Sequence, residues 1–326
     1  MSLADSYLET TRELYKQAAV EPQQGLCCTT SPVWQLPELN IPPRMRSMNY
    51  GCGSTVNPRD LAGSPTILYV GVGGGMEVLQ FSYFSRRAGA VVGLDVVDEM
   101  LAACRDNLAS AEAMNPWFRR NFVDLRKGDA LDLPLADASV DIAAQNCLFN
   151  IFNDGELERA LREMYRVLKP HGKLLLSDPV CDAEIPAMLR NDARLRAMCL
   201  TGALPLAVYL RRLADIGFGT VEVRARRPYR VLSPRHYDTD RLIAVESVEI
   251  CAIKDPVPND GPCVFTGRTA IYHGPDEVFD DRRGHVLRQN QPANVCDKTA
   301  NVLAALGRDD IFISGSTWHY DGGGCC

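Results

Sequence analysis

The sequence predicts a parallel, doubly wound α/β sheet followed by a smaller α+β unit, and three observations carry that reading. From residue 64 to residue 178, short apolar runs alternate with stretches of helical periodicity, which is how strands joined by crossover helices are written. A glycine-rich turn, Gly71-Val72-Gly73-Gly74-Gly75, stands between the first of those strands and the first helix. At 326 residues the chain is long enough to bury two cores.

The elements follow in order. Residues 3–20 alternate at helical spacing and predict an amphipathic helix. Residues 25–63 are rich in Pro, Gly and Ser and read as loop. Thr66 to Val70 is a buried strand, Met76 to Arg87 a helix, Ala90 to Leu94 a second strand, and Asp98 to Ala109 a second helix. Phe122 to Arg126 and Val140 to Ala144 give strands three and four, and Asp154 to Leu168 a helix. Lys169-Pro170-His171-Gly172 then turns into the strand Lys173 to Ser177. Helices fit at 186–200 and 205–216, with an antiparallel edge strand near 219–226. After Pro228 turn residues crowd 255–261 and 280–284, and only 294–306 has helical spacing. The expected division is 1–63, a helix and a thiol-bearing loop; 64–228, the doubly wound domain; and 229–326, an α+β unit with a Cys-Cys tail.

Composition narrows the partners. A net charge of -6 argues against nucleic acid, and Arg224-Ala225-Arg226-Arg227 reads as a solvated strand end. No apolar run has the length of a membrane span, and the charged N-terminus lacks a leader's apolar region. A cytoplasmic protein with no membrane partner is expected. There the twelve cysteines would be reduced, and they read as ligands or catalysts before they read as disulfides. The vicinal pairs Cys27-Cys28 and Cys325-Cys326 make poor staples, because adjacent cysteines close only a strained ring.

The glycine turn lets backbone approach a ligand at a helix N-terminus. Gly71, Gly73 and Gly75 are its candidate cofactor residues. Asp95, closing the second strand, can accept hydrogen bonds from ribose hydroxyls. In Gly128-Asp129-Ala130, Asp129 can accept from an adenine amino group, with Ala130 beside it. The bland alternative is that Asp95 and Asp129 only cap helices. The order of the three elements favours a nucleotide cofactor.

The segments Asp137-Ala138-Ser139-Val140-Asp141-Ile142 and Glu163 to Leu174, with its Lys169-Pro170-His171-Gly172 turn, resemble class I S-adenosylmethionine methyltransferases over residues 66–178. The resemblance implies a Rossmann-like sheet and S-adenosylmethionine as methyl donor. One departure stands out. That family carries an acidic residue two positions before the first glycine, and here Tyr69 holds the place. Asn146 is the candidate for part of the lost contact to the methionine amino group.

Three further segments, Asn49-Tyr50-Gly51-Cys52-Gly53, Asn146-Cys147-Leu148-Phe149-Asn150 and Met198-Cys199-Leu200-Thr201-Gly202, resemble the thiol segments of arsenite S-adenosylmethionine methyltransferases. Cys27-Cys28 is similar to a vicinal pair of that family. The C-terminal third, with Asp260-Gly261-Pro262-Cys263 and the Cys325-Cys326 tail, is similar to the C-terminal domain of its bacterial and algal members. The resemblance implies that Cys52, Cys147 and Cys199 are catalytic thiolates that hold As(III), with Cys27 and Cys28 as further candidates. It implies arsenite and methylarsenite as substrates, thioredoxin or glutathione as reductant, and no permanent metal.

The chemistry agrees. Trivalent arsenic is soft and prefers sulfur. Bound by three thiolates, it turns its lone pair away from them, and it has no proton to lose, so no general base is needed. Cys52, in a glycine loop, would close as a lid and supply the third thiolate. Cysteine also fills core space, and that reading is taken for Cys104 and Cys251, with Cys181, Cys263 and Cys296 left open. Two other functions stand beside the leading one: a class I methyltransferase for a small organic acceptor, indifferent to thiols, and a non-catalytic thiol protein that binds metalloids.

Overall fold

The computed structural model describes residues 3–23, 26 and 36–317. Its helices and strands run α1 (Leu3–Val20), α2 (Pro43–Ser47), β1 (Ile67–Val70), α3 (Met76–Ser85), β2 (Val91–Asp95), α4 (Asp98–Met114), β3 (Val123–Lys127), β4 (Val140–Asn146), α5 (Asp154–Val167) and β5 (Leu168–Cys181). Then come α6 (Ala187–Arg190), α7 (Ala193–Ala197), β6 (Leu204–Pro205), α8 (Leu206–Ile216), β7 (Thr220–Leu232) and β8 (Ile243–Ile253). The chain finishes with β9 (Cys263–Phe265), β10 (Thr269–Tyr272), β11 (Val278–Asp280), β12 (Val286–Arg288), β13 (Ala293–Asn294), α9 (Asp297–Ala305) and β14 (Ile311–Ile313).

The main sheet has the order β3-β2-β1-β4-β5-β8-β7-β9, with β6 beside β5. The strands from β1 to β5 are parallel, as the alternation of strand and helix requires. The buried run Ile67–Val70 lies between β2 and β4 with both faces covered. One core cluster, around Leu68, Leu161, Phe218 and Ile250, covers one side of the sheet. A second, around Ile67, Phe81, Phe118 and Leu175, covers the other. Helix α5 starts on a capping box, in which the Asn153 side chain and Glu156 bond reciprocally to each other's backbone N–H. Such a cap contributes about 1 kcal/mol.

Three expectations change. The helix foreseen over 186–200 is two short ones, because Asp192 accepts from Leu195 N and starts α7 afresh. Cys199 therefore lies in the turn after α7, not in a helix. Lys169 to Gly172 is an irregularity inside β5, with His171 at φ 61° and a register shift opposite Val140 and Ile142. The sheet also does not stop at 228. Strand β7 carries Pro228 at a register shift between Pro228 and Arg230, the kind of position where a strand tolerates a missing N–H. It returns as β8, which sits between β5 and β7 and is antiparallel to both. Residues 243–253, expected in the C-terminal unit, are thus a central strand of the main sheet.

Beyond β9, the antiparallel strands β13-β10-β14 and helix α9 enclose a small core of Ala270, Tyr272, Leu287, Ala300 and Leu303. Helix α1 lies across α4 and α7, over the C-terminal ends of the parallel strands. Among the described residues no helix is long and apolar enough to cross a membrane.

Candidate active site

A cleft of ≈ 1120 Å³, open to solvent, lies at those strand ends beneath α1. In doubly wound folds ligands bind at this edge. Gly71, Gly73, Asp95, Asp129, Ala130, Asn146 and Cys147 line it. Gly71, Gly73 and Gly75 have φ of 79°, 51° and 87°, a region open to glycine at little cost. Gly75 is not in the wall. It starts α3, and a Cβ there would meet the Cys104 Sγ at 2.8 Å. Its part is to turn the chain, and Cys104 is core.

Asp95 ties two strand ends together. Its carboxylate accepts from Val97 N at 3.0 Å, and the backbone N–H groups of Gly73, Val96 and Val72 lie around it and favour its charged form. Burial pushes its pKa up to about 6 against those bonds. It does not cap α4, whose first flanking residue is Val97 with no side-chain cap. Asp129 likewise precedes no helix. One of its oxygens accepts from Leu131 N at 2.9 Å, and the other lies 3.8 Å from the Arg12 guanidinium of α1. Carboxylates at the ends of β2 and β3, a glycine backbone wall between them and apolar lining from Val97, Leu148 and Phe152 fit a nucleoside carrying a short charged chain, and so fit S-adenosylmethionine.

A buried acid on the helix faces Tyr69 at the cleft. The Tyr69 hydroxyl donates to Glu77 Oε2 at 2.7 Å. Glu77 also accepts from Thr55 N (2.8 Å), Thr55 Oγ1 (3.0 Å) and Asn146 Nδ2 (3.2 Å). It lines the cleft and is buried. Burial pushes its pKa up, against the pull of the Tyr69, Thr55 and Asn146 bonds. Sequence reasoning missed it because an acid in the first turn of a helix is commonplace.

The three predicted thiols share one buried cluster, but among the described residues they are not placed as a three-ligand set for a metal ion. Cys52, Cys147 and Cys199, from three distant segments, belong to one buried cluster with Tyr50, Met48 and Ile151. Cys147 faces the cleft, whereas Cys52 and Cys199 lie behind it at 0% exposure. The Cys199 Sγ donates to the Cys147 carbonyl at 2.6 Å. Cys147 and Cys199 have φ of 60° and 56°, in the left-handed region where a residue with a Cβ is strained. Surrounding contacts enforce this. Cys147 N donates to Ser177 O at 2.7 Å. Arg196 donates to the carbonyls of Ile151 (2.7 Å) and Phe152 (2.5 Å). Gly202 abuts Asn150 so closely that a Cβ would lie 1.7 Å from its carbonyl oxygen.

The Cys52 loop is seated, not open. Asn146, Ser177 and Glu249 are partners in register across β4, β5 and β8, and each holds it. Asn146 Oδ1 accepts from Cys52 N at 3.0 Å, and its Nδ2 donates to Gly53 O at 2.9 Å. Ser177 Oγ lies 3.5 Å from Cys52 Sγ. Glu249 Oε1 accepts from Ser54 N at 2.9 Å and pairs with Arg227. A Cβ on Gly51 or Gly53 would run into Asn146 or Ser177 at 2.5 and 2.3 Å. Asn146 is thus a clasp on the thiol loop as well as part of the cofactor wall. Ser177 and Glu249 were not foreseen, and Glu249 was hidden by the boundary drawn at 228.

Cys104, Cys181 and Cys251 are buried, and burial pushes each thiol up to about 12. Cys181 donates to Ala203 O at 3.3 Å, a core role. The candidates Cys27 and Cys28 and the tail Cys325-Cys326 lie outside the described residues.

Sheet order, glycine turn and cleft are those of a class I methyltransferase fold. Residues 68–176 match the family model of a methyltransferase domain, and residues 259–314 match a domain of unknown function, DUF8838. Proteins named arsenite methyltransferase are among its relatives. One from Aquipseudomonas alcaligenes is 36% identical over 195 residues, 58% of this chain and 54% of that protein. One from Halobacterium salinarum is 31% identical over 54% of this chain and 43% of its own length. One from Rattus norvegicus is 27% identical over 91% of this chain and 79% of its own. The matched region is thus about half the length of the first two relatives. The crystal structure of CrArsM, an arsenic(III) S-adenosylmethionine methyltransferase from Chlamydomonas reinhardtii, shares the fold with a TM-score of 0.62 at 21% identity, over 89% of this chain and 98% of that one.

Proposed function

We propose that this chain is an arsenite methyltransferase, moving methyl groups from S-adenosylmethionine to trivalent arsenic held by Cys52, Cys147 and Cys199, and so giving methylated arsenicals for detoxification or onward biosynthesis. The observation that supports the reading is that three thiols from separate segments share one buried cluster beside the cofactor cleft, two of them on strained backbone. The names of the relatives point the same way.

Arsenite, As(OH)3, condenses with three thiols, each S–H proton leaving with one hydroxyl, to form three As–S bonds and three waters without change of oxidation state. Its lone pair then points away from the sulfurs. Bound in the cleft, the cofactor supplies an electrophilic methyl group on a sulfonium. Asp95 and Asp129 hold the nucleoside, and Glu77 with Asn146 faces the ammonium of the methionine part. Clasped by Asn146, Ser177 and Glu249, the Cys52 loop fixes the third thiolate and keeps water from the arsenic. The rate gain comes from alignment of nucleophile and methyl donor. Methylarsenite has only two exchangeable positions and needs two thiolates. A reductant, thioredoxin or glutathione, returns oxidised arsenic and thiols to the reduced state, which suits a cytoplasmic protein with no resident metal.

The test is to incubate the purified chain with arsenite, S-adenosylmethionine and a thiol reductant and to separate the arsenic species over time. Methylated arsenic is expected, and none with Cys147→Ser. Arsenite binding without product would make the protein a thiol buffer; neither would return it to an organic acceptor.

A further inference from the structure

We propose that Cys263 and Cys296 form a second arsenical site, remote from the first and shaped for a trivalent arsenic that already carries one carbon substituent, R–As(OH)2. The choice of ligand rests on the methylation reading, since the first methylation makes such a compound.

The two thiols come from the junction of the main sheet with the C-terminal unit. Cys263 opens β9, pairs with Thr220 of β7 and is partly exposed. Cys296 immediately precedes α9 and is buried. Their segments adjoin: Lys298 Nζ, two residues after Cys296, donates to Gly261 O, two residues before Cys263, at 2.7 Å, and Thr266 Oγ1 donates to Asp297 Oδ1 at 2.7 Å; both cysteines are free thiols. The site lies away from the cofactor cleft. Thr220 pairs with Ile253, Ile253 with Lys173, and Lys173 with Ile142, so Cys263 sits at the level where β4 begins. Asn146, Ser177 and Glu249 mark the opposite end, four residues or about 13 Å along the strands.

The surroundings tie the two thiols into a polar network. Cys296 flanks the N-terminus of α9 but makes no cap bond with its side chain. Its sulfur instead lies 3.2 Å from Thr299 Oγ1. That hydroxyl is 3.1 Å from His285 Nε2, and His285 Nδ1 is 2.7 Å from Asp281. Lys298 Nζ, held by Asp260 Oδ1 at 2.5 Å and Gly261 O at 2.7 Å, feels the charge of both cysteines. Burial and the adjoining Cys296 push the Cys263 thiol up. A thiolate formed there has a cation and a helix N-terminus beside it.

Two thiols and no third define the ligand. The side chains that adjoin the pair are Thr299, Lys298 and, through Thr299, His285. A dithiol with R–As(OH)2 forms two As–S bonds and releases two waters, with no oxidation or reduction. As(OH)3 would keep one hydroxyl and bind less tightly. The site would hold the partly methylated product while the active site is engaged.

The experiment uses the full chain, reduced, with phenylarsine oxide as the monosubstituted probe. After N-ethylmaleimide treatment and digestion, mass spectrometry reads alkylation at Cys263. The probe is expected to cut that alkylation at least about tenfold in the natural sequence and to have no effect in Cys296→Ser. Cys263→Ser should bind one equivalent fewer of probe by intact mass and still methylate arsenite within about twofold. Equal alkylation of Cys263 with and without probe, or protection that survives Cys296→Ser, would overturn the site. Because the readout needs no turnover, protection without arsenite methylation would sink the proposed function and leave this site standing.

Discussion

The two halves of the sheet's upper edge are built in different ways. On the side of β1, β2 and β3, backbone does the work: glycines with positive φ, amide groups gathered on Asp95, and a turn at Asp129. On the side of β4, β5 and β8, side chains do it: Asn146, Ser177 and Glu249 in one row clasp a loop that has no secondary structure of its own. The first half can be assembled from contacts close in sequence. The second needs residues up to 195 positions apart, as in Ser54 and Glu249. A cofactor wall made from local geometry can be shared by many enzymes, while on the proposed function the clasp would set which acceptor is held against it.

Substitutions should separate the halves. Cys147→Ser is expected to have the largest effect, abolishing methylation of both arsenite and methylarsenite while the cofactor dissociation constant moves by less than about twofold, checked by product analysis and calorimetry. A parallel loss of cofactor binding would show that the halves are not separable. Asp60→Asn comes next. Asp60, ahead of β1, is 8% exposed and bonds Lys173 of β5 and Arg224 of β7. Removing one partner of a buried ion pair costs about 3 kcal/mol, read as a fall in the urea midpoint. Burial alone would raise the Asp60 carboxyl, but Arg224 and Lys173 hold it below its ordinary 3.8. Its ionised form is therefore favoured by folding. That stability is present above pH 3.8 and is lost as the pH falls through the lowered value.

Cys52→Ser is expected to lower arsenite kcat/KM by about 100-fold, the scale of a misplaced reactant, and to spare most methylarsenite turnover. Equal loss on both substrates would contradict the division between two and three thiolates. Glu249→Gln should act through the same loop and cost about tenfold on arsenite, with cofactor affinity unchanged. The smallest effect belongs to the backbone half. Asp95 has its pKa raised to about 6 in the free protein, and ribose hydroxyls bond best to the ionised form. Cofactor affinity should hold above pH 6 and weaken a few-fold as the carboxyl takes up its proton below it, measured by calorimetry across that range.

How much of this was legible followed the same divide. The strand–turn–helix run, Asp95 and Asp129 follow from spacing, because each is fixed by neighbours within a few residues. The identity of the three thiols was carried by their sequence contexts, and the structure puts them in one buried cluster. Long-range pairing stayed out of reach. Pro228 and the turn residues after it read as a boundary, yet the chain bulges at the proline and comes back as β8. With β8 misplaced, Glu249 could not be seen as part of the site. Glu77 was invisible for another reason: its role depends on Tyr69, eight residues earlier and facing it from the adjoining strand. Cys199 was expected on a helix because its periodicity continues, but the cap at Asp192 restarts the helix and throws the thiol into a turn.

The most direct measurement is diffraction from crystals soaked with arsenite, with data collected on both sides of the arsenic absorption edge. The account predicts an anomalous peak among the sulfurs of Cys52, Cys147 and Cys199, bonded to all three and beside the cleft lined by Gly71, Asp95 and Glu77. Arsenic bound elsewhere, with that cluster empty, would contradict it.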